Sequence, residues 1–193
     1  METKNIMIVG VGGQGTLLAS KLLGKLLLTH GYDVKVSEVH GMSQRGGSVV
    51  TYVRYGEHVY SPIIDAGEAD VVLSFELLEA ARWAEYLKKG GLLLTNTQQI
   101  APMPVITGAA AYPEQLAEKL QALDIRLDAF DALQLALQAG SSKAVNLVLL
   151  GRLSTYFDFA PEDWMAAIET SVPARFLEMN KKAFLLGREL GKA

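Results

Sequence analysis

The stretch NIMIVGVGGQGTLLASKLLGKLLLTH, residues 5–30, decides the fold of this protein. Its apolar run from Asn5 to Val11 is typical of a buried parallel strand. From Thr16 to His30 the apolar residues recur every three or four positions, which predicts a helix with one apolar face. The glycines between the two segments permit a tight turn. A strand therefore runs through a glycine turn into a helix, which is the opening of an α/β unit.

The remaining sequence continues to alternate strands and helices. A second strand, Asp33 to Val39, completes a βαβ unit and favours a parallel pair with the first strand. Residues 48–55 and 58–64, separated by Gly56 and Glu57, have the alternation and spacing of an antiparallel hairpin. Further strands are predicted at 69–74, 92–96 and 125–129, and a short strand is considered at 105–106. One helix is predicted between residue 74 and about Lys89. Four more are predicted to begin at Pro113, Ser142, Pro161 and Pro173.

No internal repeat, heptad pattern or low-complexity linker interrupts this order. We therefore expect residues 1–193 to form a single domain. The predicted fold class is α/β, a Rossmann-like three-layer α/β/α sandwich whose mixed sheet is mostly parallel and contains an antiparallel hairpin.

Composition excludes several classes of function. The formal net charge is −3 and lysines and arginines do not cluster, so a nucleic-acid partner is not expected. The chain has no cysteine, which excludes disulfides, thiolate nucleophiles and cysteine-ligated iron–sulfur clusters on these residues. No apolar run approaches the roughly 20 residues of a membrane helix, and no leader precedes the first strand. We expect a cytoplasmic protein without a membrane partner.

The glycine turn is the first candidate binding site. Gly10, Gly12 and Gly15 have the G-x-G-x-x-G spacing of dinucleotide-binding turns, and Gly13 and Gln14 lie within it. Free backbone N–H groups at a helix start favour an anion such as a phosphate. A carboxylate at the end of the second strand, Glu38, is in position to bind a ribose. The alternative is that these residues only allow tight packing. The lysine of a Walker A loop is missing, so ATP hydrolysis is not expected.

The segment after the second strand is the second candidate site. It places an imidazole, a hydroxyl, an amide and a guanidinium among glycines, at the edge where open α/β sheets bind ligands. We interpret it as an interface or ligand loop, and favour a subunit interface over catalysis. Arg45 before two glycines is suited to an oxyanion. The candidate residues are His40, Ser43, Gln44, Arg45, Gly46 and Gly47.

No motif of a zinc hydrolase or a serine hydrolase occurs in the chain. Of the three histidines, His30 ends a predicted helix and His58 lies in the predicted hairpin, where cap or surface roles are expected. Only His40 is a functional candidate. We predict no catalytic residue and no metal ligand on this chain.

Two motifs identify a family. GVGGQGT at 10–16 together with SEVHGMSQRGGSV at 37–49 resembles the gamma-type subunit of 2-oxoacid:ferredoxin oxidoreductases, in particular the branch that acts on indolepyruvate. The resemblance extends to Lys143–Asn146 and to Leu150 and Gly151, and it covers nearly the whole chain. Residues 97–130 carry no motif of this family.

The resemblance implies a subunit of a larger enzyme. In such complexes thiamine diphosphate with Mg²⁺ decarboxylates the 2-oxoacid, iron–sulfur clusters pass electrons to ferredoxin, and coenzyme A accepts the acyl group. These cofactors belong mainly to a larger partner subunit, and the chain here has neither cysteines nor a Gly-Asp-Gly segment for the thiamine metal ion. It is not expected to run the reaction alone. Two alternatives stay open from the residues: a stand-alone Rossmann enzyme or sensor that binds NAD or FAD, and a purely structural dimer module.

Overall fold

The structure is a computed structural model and describes residues 2–40 and 46–191, except for the side chain of His40. A central β-sheet organises it. Within these residues six strands pair in the order β2-β3-β1-β4-β5-β6. Strands β1, β4, β5 and β6 are parallel to one another, and β3 runs antiparallel between β2 and β1. The strands are β1 (Lys4–Val11), β2 (Asp33–His40), β3 (Ser48–Gly56), β4 (Ala69–Ser74), β5 (Leu87–Asn96) and β6 (Arg126–Phe130).

Helices cover both faces of this sheet. Helices α1, α5, α6, α7 and α8 contribute to the apolar core on one face, and α2 and α4 to the core on the other. The three-layer α/β/α sandwich and its mostly parallel mixed sheet are therefore confirmed. The helices are α1 (Thr16–Thr29), α2 (Leu77–Trp83), α3 (Met103–Ile106), α4 (Leu116–Gln121), α5 (Ala132–Ala139), α6 (Val145–Leu153), α7 (Pro161–Ser171) and α8 (Leu177–Glu189).

Strand β1 is the centre of the core. Ile6 and Ile8 pack on the face of α1, while Met7 and Val9 pack on the face of α2, and all four are buried. A central strand that is covered on both faces needs apolar residues at every position, which explains the continuous apolar run in the sequence.

Helices α6 and α8 cross at two glycines. A Cβ on Gly151 would lie 2.0 Å from the carbonyl oxygen of Phe184, and a Cβ on Gly187 would lie 1.9 Å from that of Val148. Neither distance is possible between real atoms, so this crossing requires glycine at both positions. It holds α6, of which nearly every residue is buried, under α8.

The predicted hairpin between 48–55 and 58–64 is wrong. Strand β3 forms a hairpin with β2 instead, and its other edge is paired with β1 along its length, so it has no free edge for residues 58–64. Pro62 also lacks the N–H that a ladder requires. The segment after β3 is held by Arg54, whose Nη1 donates to the carbonyls of Ser61 (3.0 Å) and Ile63 (2.7 Å). The predicted parallel pair of the first two strands is likewise wrong, because β3 separates them.

Three further predictions are corrected. The helix expected to reach Lys89 ends at Trp83 and one 3-10 turn, because Leu87 already pairs with Ala69 as the first residue of β5. Residues 105–106 belong to the short helix α3 rather than a strand, after Pro102 at its N-cap. The helix expected from Pro113 begins at Leu116. None of the helices in the described ranges has the length and apolar composition to cross a membrane.

Candidate functional site

The glycine turn lies at the carboxyl edge of the parallel strands. Helix α1 leaves the end of β1 toward one face of the sheet, and α2 leaves the end of β4 toward the other. In open α/β sheets a crevice opens between two such strands. The segment that connects β1 to α1, residues 12–15, lies at this point.

The side chain of Gln14 fills the space between the ends of β1 and β4. Its Oε1 accepts a hydrogen bond from the N–H of Val11 (2.7 Å), and its Nε2 donates to the carbonyl of Phe75 (3.1 Å). Gly10 makes room for this, because a Cβ there would lie 2.9 Å from the Gln14 Oε1. Gln14 and Gly10 therefore contribute to the packing of the turn, which is the alternative that the sequence left open, and their role in cofactor binding stays a prediction.

The end of the interface or ligand loop is bonded to the turn. The N–H of Gly12 donates to the carbonyl of Gly47 (2.8 Å), and the N–H of Gly46 donates to the carbonyl of Gly12 (3.5 Å). The structure thus brings two of the predicted loop residues and the predicted turn together into one surface. Because the Gly12 N–H is already used, it is not available to a phosphate.

The start of helix α1 keeps open donors. Gly15 caps the helix with φ +88° and without a side-chain hydrogen bond, and the first turn carries no acidic residue. Within the described residues, the backbone N–H groups of Gly13, Gly15, Thr16 and Leu17 have no acceptor. These donors and the helix dipole make the turn favourable for an anion.

Asn146 fixes the position of this helix start. It is buried at the beginning of α6, and its Nδ2 donates to the carbonyl of Gly15 (3.4 Å). A Cβ on Gly15 would lie 2.8 Å from the same nitrogen. The last residue of the Lys143–Asn146 motif is therefore bonded to the glycine turn.

Glu38 shares a cleft with the turn. The cleft has a volume of about 490 Å³ and is lined by Gly12, Gly13, Gly15 and Glu38, with Leu17 and Val49 as apolar walls. Within the described part of the chain, the Glu38 carboxylate has no hydrogen bond and no ion pair. The predicted proximity of Glu38 to the glycine turn is correct. The role of these residues in cofactor binding stays a prediction.

A second cleft opens on the other side of the turn. It has a volume of about 500 Å³ and lies between Gly13 to Gly15, Gln98 and the residues that precede α6. Lys143 lines this cleft, is exposed, and forms no ion pair with any described residue. Lys143 begins the Lys143–Asn146 motif but was not among the predicted site residues. The α1 start therefore has a carboxylate on one side and an ammonium on the other.

Two buried glutamates lie beneath this edge. Glu76 is 1% exposed and accepts three hydrogen bonds, from the N–H of Glu79 (2.9 Å), the N–H of Ile100 (2.9 Å) and the hydroxyl of Tyr112 (2.7 Å). Burial and the neighbouring Glu76 raise the pKa of Tyr112. Glu79 accepts a hydrogen bond from the Oγ of Ser48 at the start of β3. No sequence signal distinguishes these carboxylates from surface residues. Their satisfied bonds indicate a structural role.

The remaining predicted loop residues are not part of the described geometry. His40 is the last residue of β2, and its side chain is not described. Ser43, Gln44 and Arg45 lie outside the described residues. Within 2–40 and 46–191, no group of three or more His, Asp or Glu side chains is arranged to hold a metal ion.

Comparison with known sequences identifies the family of this chain. The model of the pyruvate ferredoxin/flavodoxin oxidoreductase family matches residues 5–190. The indolepyruvate oxidoreductase subunit IorB of Thermococcus kodakarensis is 47% identical over 197 residues, which cover 100% of this chain and 98% of that protein. The subunit IorB of Pyrococcus horikoshii is 46% identical over 198 residues, with the same coverage.

Solved structures share the fold. Subunit PORC of the pyruvate oxidoreductase from Thermotoga maritima matches with a TM-score of 0.75 at 23% identity, covering 98% of this chain and 97% of that one. The 2-oxoglutarate:ferredoxin oxidoreductase of Magnetococcus marinus, solved with 2-oxoglutarate, coenzyme A and succinyl-CoA bound, matches with a TM-score of 0.77 at 19% identity. The match covers 100% of this chain but 31% of that one, so there the same fold is part of a longer polypeptide.

Proposed function

The chain belongs to the pyruvate ferredoxin/flavodoxin oxidoreductase family, and from this membership we propose that it is a subunit of an oxidoreductase acting on indolepyruvate or another aryl 2-oxoacid with ferredoxin as electron acceptor. The identity of 47% over the full chain to a subunit of indolepyruvate oxidoreductase is the observation that carries the proposal. The resemblance predicted from residues 10–16 and 37–49 is confirmed. A stand-alone NAD or FAD enzyme is not supported by these relatives.

In the proposed complex, a larger partner subunit carries out the redox chemistry. The complex would use thiamine diphosphate with Mg²⁺ for decarboxylation, iron–sulfur clusters for electron transfer to ferredoxin, and coenzyme A as acyl acceptor, in the cytoplasm. Cysteine-ligated clusters do not fit this chain, because its 193 residues contain no cysteine. The chain's own contribution is therefore binding and positioning.

The proposed contact surface is the glycine turn together with residues 40–47. Two backbone hydrogen bonds between Gly12 and the Gly46–Gly47 segment support this, because they join the turn and the end of the loop into one continuous edge. Open N–H groups at the start of α1, with Glu38 on one side and Lys143 on the other, give the edge the polar character of a subunit contact or of an anion site.

Co-expression with a candidate larger subunit tests the proposal. The tagged chain should copurify with the cluster-containing subunit, and 2-oxoacid oxidation with ferredoxin should require both chains. Arg45→Ala should weaken copurification or lower turnover, whereas Lys119→Ala, a change on the exposed side of α4, should do neither. A chain that migrates alone and has no effect on turnover contradicts the proposal.

A thermal-shift measurement addresses the dinucleotide alternative. A ligand at 100 times its dissociation constant stabilises a protein by about 2.7 kcal/mol. Stabilisation of that size by NAD or FAD, together with no assembly, would favour the stand-alone enzyme instead.

A further inference from the structure

A third cavity lies at the opposite edge of the sheet, where β1, β4, β5 and β6 begin. Its volume is about 460 Å³, within the range of small-molecule sites. Strand β1 separates it from the glycine turn by about 23 Å of extended chain. Residues 157–159, which precede α7, form one wall, and the first residues of the strands form the other. This cavity has no part in the surface described above.

One side of the cavity is aromatic. Tyr55 contacts Tyr32 edge to face, with ring centroids 5.3 Å apart, and lies 6.5 Å from Phe157. Phe157 and Phe159 stack with centroids 5.6 Å apart. Aromatic walls of this kind favour a planar ring, which can stack on one side chain and meet another edge on.

The other side is basic. Lys4 and Lys88 both approach one carboxylate, that of Asp70, at 3.7 Å and 3.1 Å. The Nε of Arg126 donates to the carbonyl of Gly90 (3.2 Å), which leaves its two Nη groups without a partner among the described residues. Two carboxylates line the cavity, those of Asp70 and Asp158, against four cationic side chains, Lys4, Lys88, Lys89 and Arg126. The positive charge therefore exceeds the negative charge, and the free end of the Arg126 guanidinium is suited to a carboxylate.

Tyr55 adds an unsatisfied donor. The residue is 7% exposed and lines the cavity, and its hydroxyl has no hydrogen-bond partner within the described residues. Burial raises the pKa of this hydroxyl, so it carries its proton at neutral pH. The hydroxyl is accessible from the cavity, and a ligand oxygen there would accept a hydrogen bond from it.

We propose that this cavity binds a small aromatic carboxylate, with the ring against the tyrosine and phenylalanine wall and the carboxylate toward Arg126 and Lys88. The aromatic wall selects for a ring, and the excess positive charge selects for an anion. The proposal does not rest on the function assigned to the glycine turn, since the two sites use different residues at opposite edges of the sheet.

Amide NMR titration of the full chain tests it, with phenylacetate as probe. Phenylacetamide lacks the charge, acetate lacks the ring, and AMP offers a phosphate in place of the carboxylate. Phenylacetate should give saturable shifts at Gly90, Gly91 and Phe157, with an affinity at least about tenfold higher than that of phenylacetamide or acetate, as expected for a charge-assisted hydrogen bond. The amides of Gly12 and Gly13 should not move.

Variants of the cavity provide the second measurement. Arg126→Gln should weaken phenylacetate binding at least about fivefold and leave phenylacetamide unaffected. Tyr55→Phe, which keeps the packing, should also weaken it, and Lys119→Gln should have no effect. Equal binding of phenylacetate and its amide, shifts confined to the glycine turn, or binding of AMP without phenylacetate would each overturn the proposal. Because the wild-type titration needs no substitution, a variant that fails to fold does not remove the test.

Discussion

Replacing Gly187 with alanine should destabilise the protein strongly. The new Cβ would lie 1.9 Å from the Val148 carbonyl oxygen, and the neighbouring carbonyl carbon and Cα are only 2.8 Å and 3.1 Å away. Backbone atoms cannot rotate out of the way, so α8 must move from α6 by about 1 Å. A gap of that size loses a quarter to a half of each dispersion contact across the interface. We expect a loss of about 3–5 kcal/mol, or about 10 °C in Tm for a chain of this length.

Urea unfolding followed by circular dichroism measures the effect, and Gly24→Ala is the matched control. Gly24 also lies inside a helix, but its Cβ would be 3.7 Å from the Val36 Cγ2, an ordinary contact. That substitution should stabilise the protein by up to about 1 kcal/mol, because alanine favours the helix. The double variant of Gly151 and Gly187 should cost less than the two single losses combined, since one separation of the helices relieves both clashes. A Gly187→Ala protein as stable as the control would refute the close crossing.

Three further predictions concern the edge and the buried polar groups. Glu76→Gln should lower the free energy of unfolding by about 1–3 kcal/mol in urea titrations. The substitution replaces one carboxylate oxygen, which accepts a hydrogen bond, with an amide NH2 group that faces another donor. The free energy of unfolding should fall as pH rises above the ordinary tyrosine pKa of 10.0, because the pKa of Tyr55 and of Tyr112 is higher in the folded state than in the unfolded state. Tyr55→Phe should flatten this pH dependence, which unfolding curves at alkaline pH would measure. Arg45→Ala should impair assembly or turnover of the complex in pull-down and ferredoxin-reduction assays, whereas Lys119→Ala, an exposed substitution on α4, should impair neither and should change Tm by no more than about 1 °C.

The parts of the fold that the sequence predicted are those with local periodicity. Strand β1 and helix α1 follow from the apolar pattern of residues 5–30, and the parallel strands at 69–74, 92–96 and 125–129 follow from short apolar runs between turns. The position of β3 did not follow. Its alternation fits a hairpin with either neighbouring segment, and the choice depends on which edges β1 and β2 leave free. Which strand edges are free is decided by the tertiary structure, and the local sequence pattern does not encode it.

The same distinction applies to the candidate site. The glycine turn and Glu38 were predicted to be close because a βαβ unit places both at the carboxyl edge, and they do share a cleft. Gln14 was predicted to help bind a cofactor, which stays a prediction, and the bridge that its amide makes between the ends of β1 and β4 could not be predicted from spacing. The roles of Lys143 and Glu76 depend on where α6 and the 97–100 segment pass over the edge, which no spacing in the sequence encodes.

The central place of β1 in the sheet has a consequence for biosynthesis. Of the six described strands β1 is translated first, yet its two neighbours are β3 and β4, so it has no partner until β3 has left the ribosome and its second edge stays open until residue 74 has emerged. Until β4 has emerged, a strand that is apolar on both faces therefore keeps at least one open edge, the kind of segment that aggregates or recruits a chaperone. Nascent chains that stop before β4 should therefore be bound by chaperones, and release should coincide with the emergence of that strand.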